Sequence, residues 1–248
     1  LRALLKFDHQ FVSQLEPEKL IKQNRDVYDA IAPLFSATRE YNWADVEVLA
    51  EYIKPGDKVL DLGCGNGRLY QILAKKQALY TGLDQSGELI ALAREKAPEV
   101  EFVVGEMTEL SFDAASFDAI FSIAAFNHIP GAELQLKSLQ EMKRVLKPGG
   151  LIVMTNWNLL SDSAQKNIAK HGWKVLQQSA EAGIDVMVPW KSPTGETLGE
   201  RYYHGFTVSE LTNLANATDL QIVDLYFGHK GERLDQAAGA NVISVFRK

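Results

Sequence analysis

A glycine-rich turn lies within VLDLGCGNGRLY, residues 59–70, directly after a short apolar run. Asp61, Gly63, Gly65 and Gly67 form the pattern D-x-G-x-G-x-G. Glycine at these positions allows a sharp turn and lets the backbone approach a ligand closely. The residues that follow are compatible with a helix, whose first N–H groups and positive dipole end attract an anion. The pattern therefore predicts a binding site for a nucleotide-like ligand.

Acidic residues at the ends of the next two apolar runs narrow the choice of ligand. Arg68 stands where the dinucleotide fingerprint G-x-G-x-x-G requires its third glycine. S-adenosylmethionine presents a carboxylate to such a turn, and Asp84, which ends ALYTGLD, could accept hydrogen bonds from both ribose hydroxyls. Glu106 follows the third run and could accept from the adenine amino group, with Met107 against the ring. This ordered set predicts S-adenosylmethionine as the cofactor.

These side chains can meet only if the apolar runs are strands that end at one edge of a sheet. Helix-like segments separate most of the runs, which are DKVLDL, ALYTGLD, VEFVVGE, FDAIFSIA and GLIVMTNW. Such alternation implies parallel strands joined by right-handed crossovers. LQIVDLYF and NVISVFRK near the end of the chain read as two further strands. We therefore predict an α/β fold with a Rossmann-like, doubly wound and mostly parallel sheet of about seven strands.

Two segments fall outside this alternation. Residues 1–42 carry many charged residues, and their pattern predicts short helices broken at Pro33, which form a helical cap on a domain over residues 43–248. Residues 158–200 are polar and predict an insertion after the fifth strand. Within it we expect a helix near AQKNIAKHGWKVLQQSAE and turns in PWKSPTGETLGE. The sequence returns to the alternating pattern at Thr207 and Glu210, which form a capping box.

Composition limits the class of protein and of partner. The chain has 248 residues, 46% of them hydrophobic, a net charge of −6 and a pI of about 5.5. That charge repels a polyanion, so a nucleic-acid partner would need a local basic patch, for which KNIAKHGWK at 166–174 is the candidate. Cys64 is the only cysteine, which excludes an internal disulfide and a multi-cysteine zinc site, and no metal is predicted. No long apolar run and no secretory signal are visible, which predicts a cytoplasmic protein without a membrane span.

Residues 59–157 resemble the class I S-adenosylmethionine-dependent methyltransferases. In that family the sheet contains an antiparallel last strand, which NVISVFRK would supply. VYDAIAPLFSATR at 27–39 and PWKSPTGETLGERYYHGF at 189–206 resemble the tRNA methyltransferases that esterify 5-carboxymethyluridine at the wobble position. This family includes the methyltransferase domain of the AlkB-type tRNA hydroxylase. With GCGNG and SIAAFNH between the two stretches, the resemblance extends over about residues 27–227. It implies methyl transfer to a tRNA anticodon loop and a small activator protein as partner.

The resemblance also implies roles for particular residues. The predicted cofactor contacts are Tyr28, Arg39, Asp61, Gly63, Cys64, Gly65, Asp84, Gln85, Glu106, Met107 and Ile123. The predicted residues on the acceptor side are Asn127, His128, Arg201, Tyr203 and His204. A carboxylate acceptor is already ionised at pH 7, so it needs cationic donors rather than a base, and arginine can bind it with two parallel hydrogen bonds. His128 is a base, a donor to the carboxylate or a structural residue, and these readings remain open.

Three departures from the family pattern keep other functions open. The family has two adjacent histidines where this chain has Asn127-His128, a basic residue at the position of Gln85, and a lysine-rich insert where this one is nearly neutral. Together with the acidic pI, they favour a methyltransferase that acts on a small-molecule carboxylate or hydroxyl as the alternative. A non-catalytic cofactor-binding scaffold is a second alternative.

Overall fold

The computed structural model describes residues 16–38, 44–179 and 182–248. Arg39, a predicted cofactor contact, lies outside the described residues. The helices are α1 (Pro17–Ala37), α2 (Ala44–Leu49), α3 (Tyr70–Lys75), α4 (Gly87–Lys96), α5 (Ala132–Val145), α6 (Asp162–His171) and α7 (Val208–Ala217). The strands are β1 (Lys58–Leu62), β2 (Leu79–Asp84), β3 (Glu101–Val104), β4 (Phe117–Ile123), β5 (Leu146–Trp157), β6 (Lys174–Gln178), β7 (Ile184–Lys191), β8 (Thr197–Gly205), β9 (Gln221–His229), β10 (Glu232–Leu234) and β11 (Asn241–Arg247).

The main sheet has eight strands in the order β10-β9-β11-β5-β4-β1-β2-β3. The pairs among β1 to β5 are parallel, and β11 runs antiparallel to both of its neighbours, β5 and β9. The predicted Rossmann-like fold and its antiparallel last strand are thus confirmed, with β10 as a short additional strand. No helix in the described ranges is long and apolar enough to cross a membrane.

Apolar side chains fill both faces of this sheet. Leu60, Ile120 and Ile152 pack against α5 and α7, whereas Val59 and Phe121 pack against α3 and α4. Strands that are buried on both faces need nearly continuous apolar runs, which is why these runs were recognisable in the sequence. Strand β1 lies between β2 and β4, so the chain changes direction across the sheet at this point. In such folds the ligand site lies in the crevice beyond the carboxyl ends of the strands there.

Helix α1 is continuous, so the predicted break at Pro33 is wrong. A proline inside a helix removes one backbone hydrogen bond and crowds the preceding turn. Here Ile31 and Ala32 are fully buried and Ser36 nearly so, and this packing on both sides of Pro33 offsets the local cost. Helix α1 packs on α4 and β8. The division into a cap over residues 1–42 and a domain over 43–248 stays a prediction.

The insertion is more ordered than its sequence suggested. After α6, Gly172 adopts a left-handed conformation and ends the helix, so KVLQQ forms strand β6 instead of continuing it. Strands β6, β7 and β8 make an antiparallel three-stranded sheet, and most of PWKSPTGETLGE lies in the β7–β8 hairpin rather than in open loops. This sheet extends to Gly205, beyond the predicted end of the insertion. The capping box of Thr207 and Glu210 at α7 is present as predicted.

Candidate active site

A pocket opens at the carboxyl ends of β1, β2, β4 and β5, and α1 covers it. Side chains of α1 that line it are Ile21, Tyr28 and Phe35. Every predicted cofactor contact that lies in the described ranges also lines this pocket: Tyr28, Asp61, Gly63, Cys64, Gly65, Asp84, Gln85, Glu106, Met107 and Ile123. The fold therefore brings the sequence-predicted set together, although contact of each residue with a cofactor stays a prediction.

The glycine turn has a backbone that other residues rarely adopt. Gly63, Gly65 and Gly67 have φ values of +83°, +55° and +75°. A Cβ atom on Gly63 would overlap Ala125, so this glycine is needed for packing. Within 4 Å of a Cβ atom on Gly65 there would be only the Phe35 ring, at a distance of 3.6 Å. Gly65 thus leaves open space on the pocket side, which fits a ligand that lies against the backbone.

Asp84 is half-buried at the end of β2 and is held by the backbone. Its Oδ2 accepts a hydrogen bond from the N–H of Gly65 at 2.8 Å, and its Oδ1 accepts from the N–H of Ser86 at 2.9 Å. Burial raises the pKa of Asp84, whereas these N–H groups act to lower it. Each oxygen retains a lone pair, so the carboxylate can still accept the two hydroxyls of a ribose.

Helix α1 is attached to the cofactor side of the pocket by polar contacts. Asp29 accepts hydrogen bonds from the Ser86 hydroxyl at 2.6 Å and from the backbone at the start of α4. Arg25 forms an ion pair with Glu106 at 3.3 Å. Arg25 and Asp29 were not predicted from the sequence. Ile21, Arg25 and Tyr28 are spaced three to four residues apart, so they lie on one face of a helix. This spacing could have indicated that polar residues of α1 share a face with apolar residues that line the pocket.

Arg201 is buried beside Tyr28 and Tyr203, and it has no acidic partner among the described residues. Only 4% of the residue is exposed. Its Nη1 donates to the hydroxyls of Tyr28 at 3.2 Å and Tyr203 at 2.9 Å, and its Nε has no hydrogen-bond partner within the described part of the chain. The guanidinium also lies 4.9 Å from the ring centre of Trp190. Among the described residues, no carboxylate forms an ion pair with Arg201, which leaves a buried positive charge. Arg201 does not itself line the pocket but contacts Tyr28 and Tyr203, which do.

His128 lines the pocket next to these tyrosines. Its Nε2 is 3.0 Å from the Tyr28 hydroxyl, and its Nδ1 is 2.8 Å from the carbonyl oxygen of Tyr202. Burial lowers the pKa of His128 to about 3, and the positive charge of Arg201 acts in the same direction, against the effect of the Tyr202 carbonyl. The imidazole is therefore neutral at pH 7 and is a weak base.

Asn127 and His204 lie away from the pocket wall. Asn127 is fully buried, next to His128 in the chain. Side chains alternate between the two faces of a strand, so Arg201 and Tyr203 point one way along β8 while Tyr202 and His204 point the other. His204 contacts Asp185 at 2.6 Å and Glu210 at 3.1 Å. This arrangement supports a structural role for His204 rather than contact with the acceptor.

The ion pairs of His204 predict a pH-dependent stability. Burial alone would lower its pKa, but the hydrogen bonds and charges of Asp185 and Glu210 outweigh burial and raise the pKa to about 9. Because the pKa in the unfolded chain is near 6.5, this stabilisation is complete below about pH 6.5 and is lost as the pH rises through about 9. We expect the free energy of unfolding of His204→Gln to be lower than that of the wild type at pH 6. At pH 10 this difference should be smaller by roughly 1–3 kcal/mol. Urea unfolding of both proteins at the two pH values measures it.

The exposed His171 at the end of α6 provides the control, because His171→Gln should show no such change. A deficit of His204→Gln that is equal at pH 6 and pH 10 would contradict a charged His204.

Gly65→Val should abolish most of the cofactor affinity. A β-branched side chain is strained at a φ of +55° and would enter the open space on the pocket side. We expect the affinity to fall by at least about 10-fold, as measured by calorimetric titration. Gly56→Val is a matched control, since Gly56 also has a positive φ and open surroundings but does not line the pocket. An unchanged affinity of Gly65→Val would show that the turn does not contact the ligand.

Comparison with known proteins identifies the class. A family model described as a methyltransferase domain matches residues 59–150. A SAM-dependent methyltransferase from Methanosarcina mazei is 25% identical, with a TM-score of 0.62 over 81% of this chain and 94% of that chain. A chain from the complex of the Haloferax volcanii Trm112 methyltransferase activator with a methyltransferase has a TM-score of 0.65 over 90% of this chain and 96% of that chain. At 19% identity, this last likeness shows the fold alone.

Residues 59–150 match a methyltransferase domain, and the chain is similar to class I methyltransferases, which use S-adenosylmethionine as their cofactor. It resembles the tRNA carboxymethyluridine methyltransferases: the tRNA (carboxymethyluridine(34)-5-O)-methyltransferase of Arabidopsis thaliana is 36% identical over 141 residues. That alignment covers 57% of this chain and 34% of the plant protein. The chain spans about a third of the length of the first curated relatives that it matches.

Proposed function

We propose that this domain methylates a carboxylate oxygen, and that the acceptor is the 5-carboxymethyl group of a wobble uridine in tRNA. The observation that carries the proposal is the buried Arg201, whose guanidinium is bound only to phenolic hydroxyls in the described structure. A buried cation without an anion is unfavourable, and a carboxylate ligand would remove that cost. Arginine offers such a ligand a planar set of donors.

The state of His128 supports an acceptor that needs no base. A hydroxyl acceptor would have to lose a proton, and an imidazole with a pKa of about 3 is poorly matched to take it at pH 7. A carboxylate is already ionised. When bound, S-adenosylmethionine supplies a methyl group activated by its sulfonium sulfur, and the site need only orient the acceptor and exclude water. Arg201 and Tyr203 would hold the carboxylate, while Asp84, Glu106 and the glycine turn would hold the cofactor.

The wobble uridine is proposed from the resemblance to the plant enzyme and from the surroundings of Arg201. Trp190 lies over the guanidinium and 5.9 Å from the Phe35 ring centre, so aromatic surface is available next to the proposed carboxylate site. An unstacked base of an anticodon loop can be held on such a surface. Helix α6 presents Lys166 and Lys170 to solvent as candidate phosphate contacts. A small activator protein is the proposed partner.

A small-molecule carboxylate is the second candidate, favoured by the net charge of −6. Turnover of S-adenosylmethionine against total tRNA and against a pool of small metabolites separates the two, with a candidate activator supplied in parallel. We expect turnover with tRNA. Turnover with the metabolite pool alone would favour the second candidate, and no turnover with either would favour a scaffold.

A further inference from the structure

An asparagine on α1 is fully buried against β8. The Oδ1 of Asn24 accepts a hydrogen bond from the backbone N–H of Tyr202 at 2.7 Å, and its Nδ2 donates to the carbonyl of Tyr202 at 3.1 Å. Strand β8 is at the edge of the three-stranded sheet. The amide of Asn24 therefore provides the pair of hydrogen bonds that a neighbouring strand would otherwise make.

The same carbonyl determines where His128 carries its proton. It accepts from Nδ1 of His128 at 2.8 Å, and because a carbonyl oxygen only accepts, the proton is on Nδ1. The NH₂ group of Asn24 lies 3.2 Å from the same nitrogen, and because both groups are then donors this contact is not a hydrogen bond; Asn24 acts on the tautomer only through the Tyr202 carbonyl that it holds. Nε2 of the neutral ring is then an acceptor.

The direction of the next hydrogen bonds follows from this tautomer. Tyr28 donates its hydroxyl hydrogen to Nε2 of His128 at 3.0 Å. The Tyr28 oxygen in turn accepts from Nη1 of Arg201 at 3.2 Å. The chain of hydrogen bonds thus runs from Arg201 through Tyr28 and His128 to the Tyr202 carbonyl, and Asn24 is bound at its end.

We propose that Asn24 is a positioning residue of the acceptor site: by binding both backbone groups of Tyr202, it keeps α1 on β8 and the proton of His128 on Nδ1, and so orients Tyr28 beside Arg201. This inference rests on the proposed function, because Arg201, to which Tyr28 is hydrogen-bonded, is a group that would orient the acceptor. Asn24 does not line the pocket and acts only through these neighbours.

The neighbouring Gln23 offers a matched control. Its Nε2 donates to the carbonyl of Glu200 at 2.9 Å, so it also joins α1 to β8. Gln23 makes no hydrogen bond to His128 in the described structure. Gln23→Ala therefore removes one contact between these two elements and leaves the chain from Arg201 to Tyr202 in place.

The experiment compares Asn24→Ala, Asn24→Asp and Gln23→Ala with the wild type. Nitrogen NMR of His128, assigned by its loss in His128→Asn, reports the tautomer; calorimetry reports the affinity for S-adenosylhomocysteine; labelled-methyl transfer reports turnover. We expect the Nδ1–H tautomer in the wild type and in Gln23→Ala, and a mixture of tautomers in Asn24→Ala. Turnover of Asn24→Ala should fall about 10-fold or more with less than about a 3-fold change in cofactor affinity, because misplacement of orienting groups affects the reaction step.

Asn24→Asp places a carboxylate beside Nδ1, while Tyr28, Tyr203 and the Arg201 cation face the ring from α1 and β8. A carboxylate at this position stabilises the imidazolium, so protonation of His128 should become visible between about pH 5 and 8. An Nε2–H tautomer in the wild type, or identical tautomers and turnover in Asn24→Ala and Gln23→Ala, would overturn the proposal. If the wild type does not methylate tRNA, the proposed function fails, yet the tautomers and cofactor affinities still decide the role of Asn24. If Asn24→Ala does not fold, the tautomers and cofactor affinities of the wild type and Asn24→Asp still decide the role of Asn24.

Discussion

Asp84→Ala is expected to weaken the binding of S-adenosylmethionine by about 10- to 1000-fold. Two charge-assisted hydrogen bonds to the ribose would be lost, each of roughly 1.5–3 kcal/mol, with partial compensation by water. The structure adds a second cause, because Asp84 also accepts from the N–H of Gly65 and so helps to hold the glycine turn. Calorimetric titration of the purified variant measures the affinity, and circular dichroism shows that the fold is retained.

Asp84→Asn is the graded control for this expectation. Its amide oxygen can still accept one backbone N–H, but it lacks the negative charge and one acceptor, so its affinity should lie between those of the wild type and Asp84→Ala. An affinity of Asp84→Ala equal to that of the wild type would remove Asp84 from the cofactor site.

Arg201→Lys is expected to lower turnover by about 100-fold while it changes cofactor affinity by less than about 3-fold. Lysine keeps the positive charge but cannot offer the planar fork that binds a carboxylate with two parallel hydrogen bonds. A lysine ammonium has three N–H groups, so if it kept the two contacts that Nη1 of Arg201 makes to Tyr28 and Tyr203, only one would remain for the carboxylate. The loss should therefore appear in the transfer step rather than in the binding of the methyl donor.

Arg233→Lys tests whether any arginine replacement has this effect. Arg233 pairs with Asp224 on the surface of β9 and β10, outside the pocket. Its variant should retain wild-type turnover. If Arg201→Lys also retains it, Arg201 does not hold the acceptor through a fork of two hydrogen bonds.

The parallel sheet and the glycine turn were predictable because their signals are local in the sequence. The strands are buried on both faces and appear as continuous apolar runs, and Gly63 and Gly65 occupy positions where positive φ is required. The pocket position of Asp84 followed from its place at the end of a strand.

Features that depend on packing between distant segments could not be predicted. The helix continues through Pro33 because tertiary contacts on both sides offset a local cost. The strand β6 is short and mixes polar with apolar residues, and only its pairing with β7 distinguishes it from the helix before it. In the sequence, nothing distinguishes Asn24 from an ordinary polar residue of a helix, because its role depends on the packing of β8 against α1. Side chains along β8 alternate between two faces, which separates Tyr203 from His204, but RYYH alone does not show that it lies within a strand.

Transfer of a labelled methyl group to tRNA tests the central claim most directly. Two tRNA preparations that differ only in the presence of 5-carboxymethyluridine at the wobble position are incubated with the wild-type protein and labelled S-adenosylmethionine, with and without a candidate activator. We expect label only in the tRNA that carries the carboxymethyl group, in a form released by mild base, because a methyl ester is base-labile. Failure to label either tRNA under all of these conditions, together with efficient labelling of a small metabolite, would contradict the proposed function.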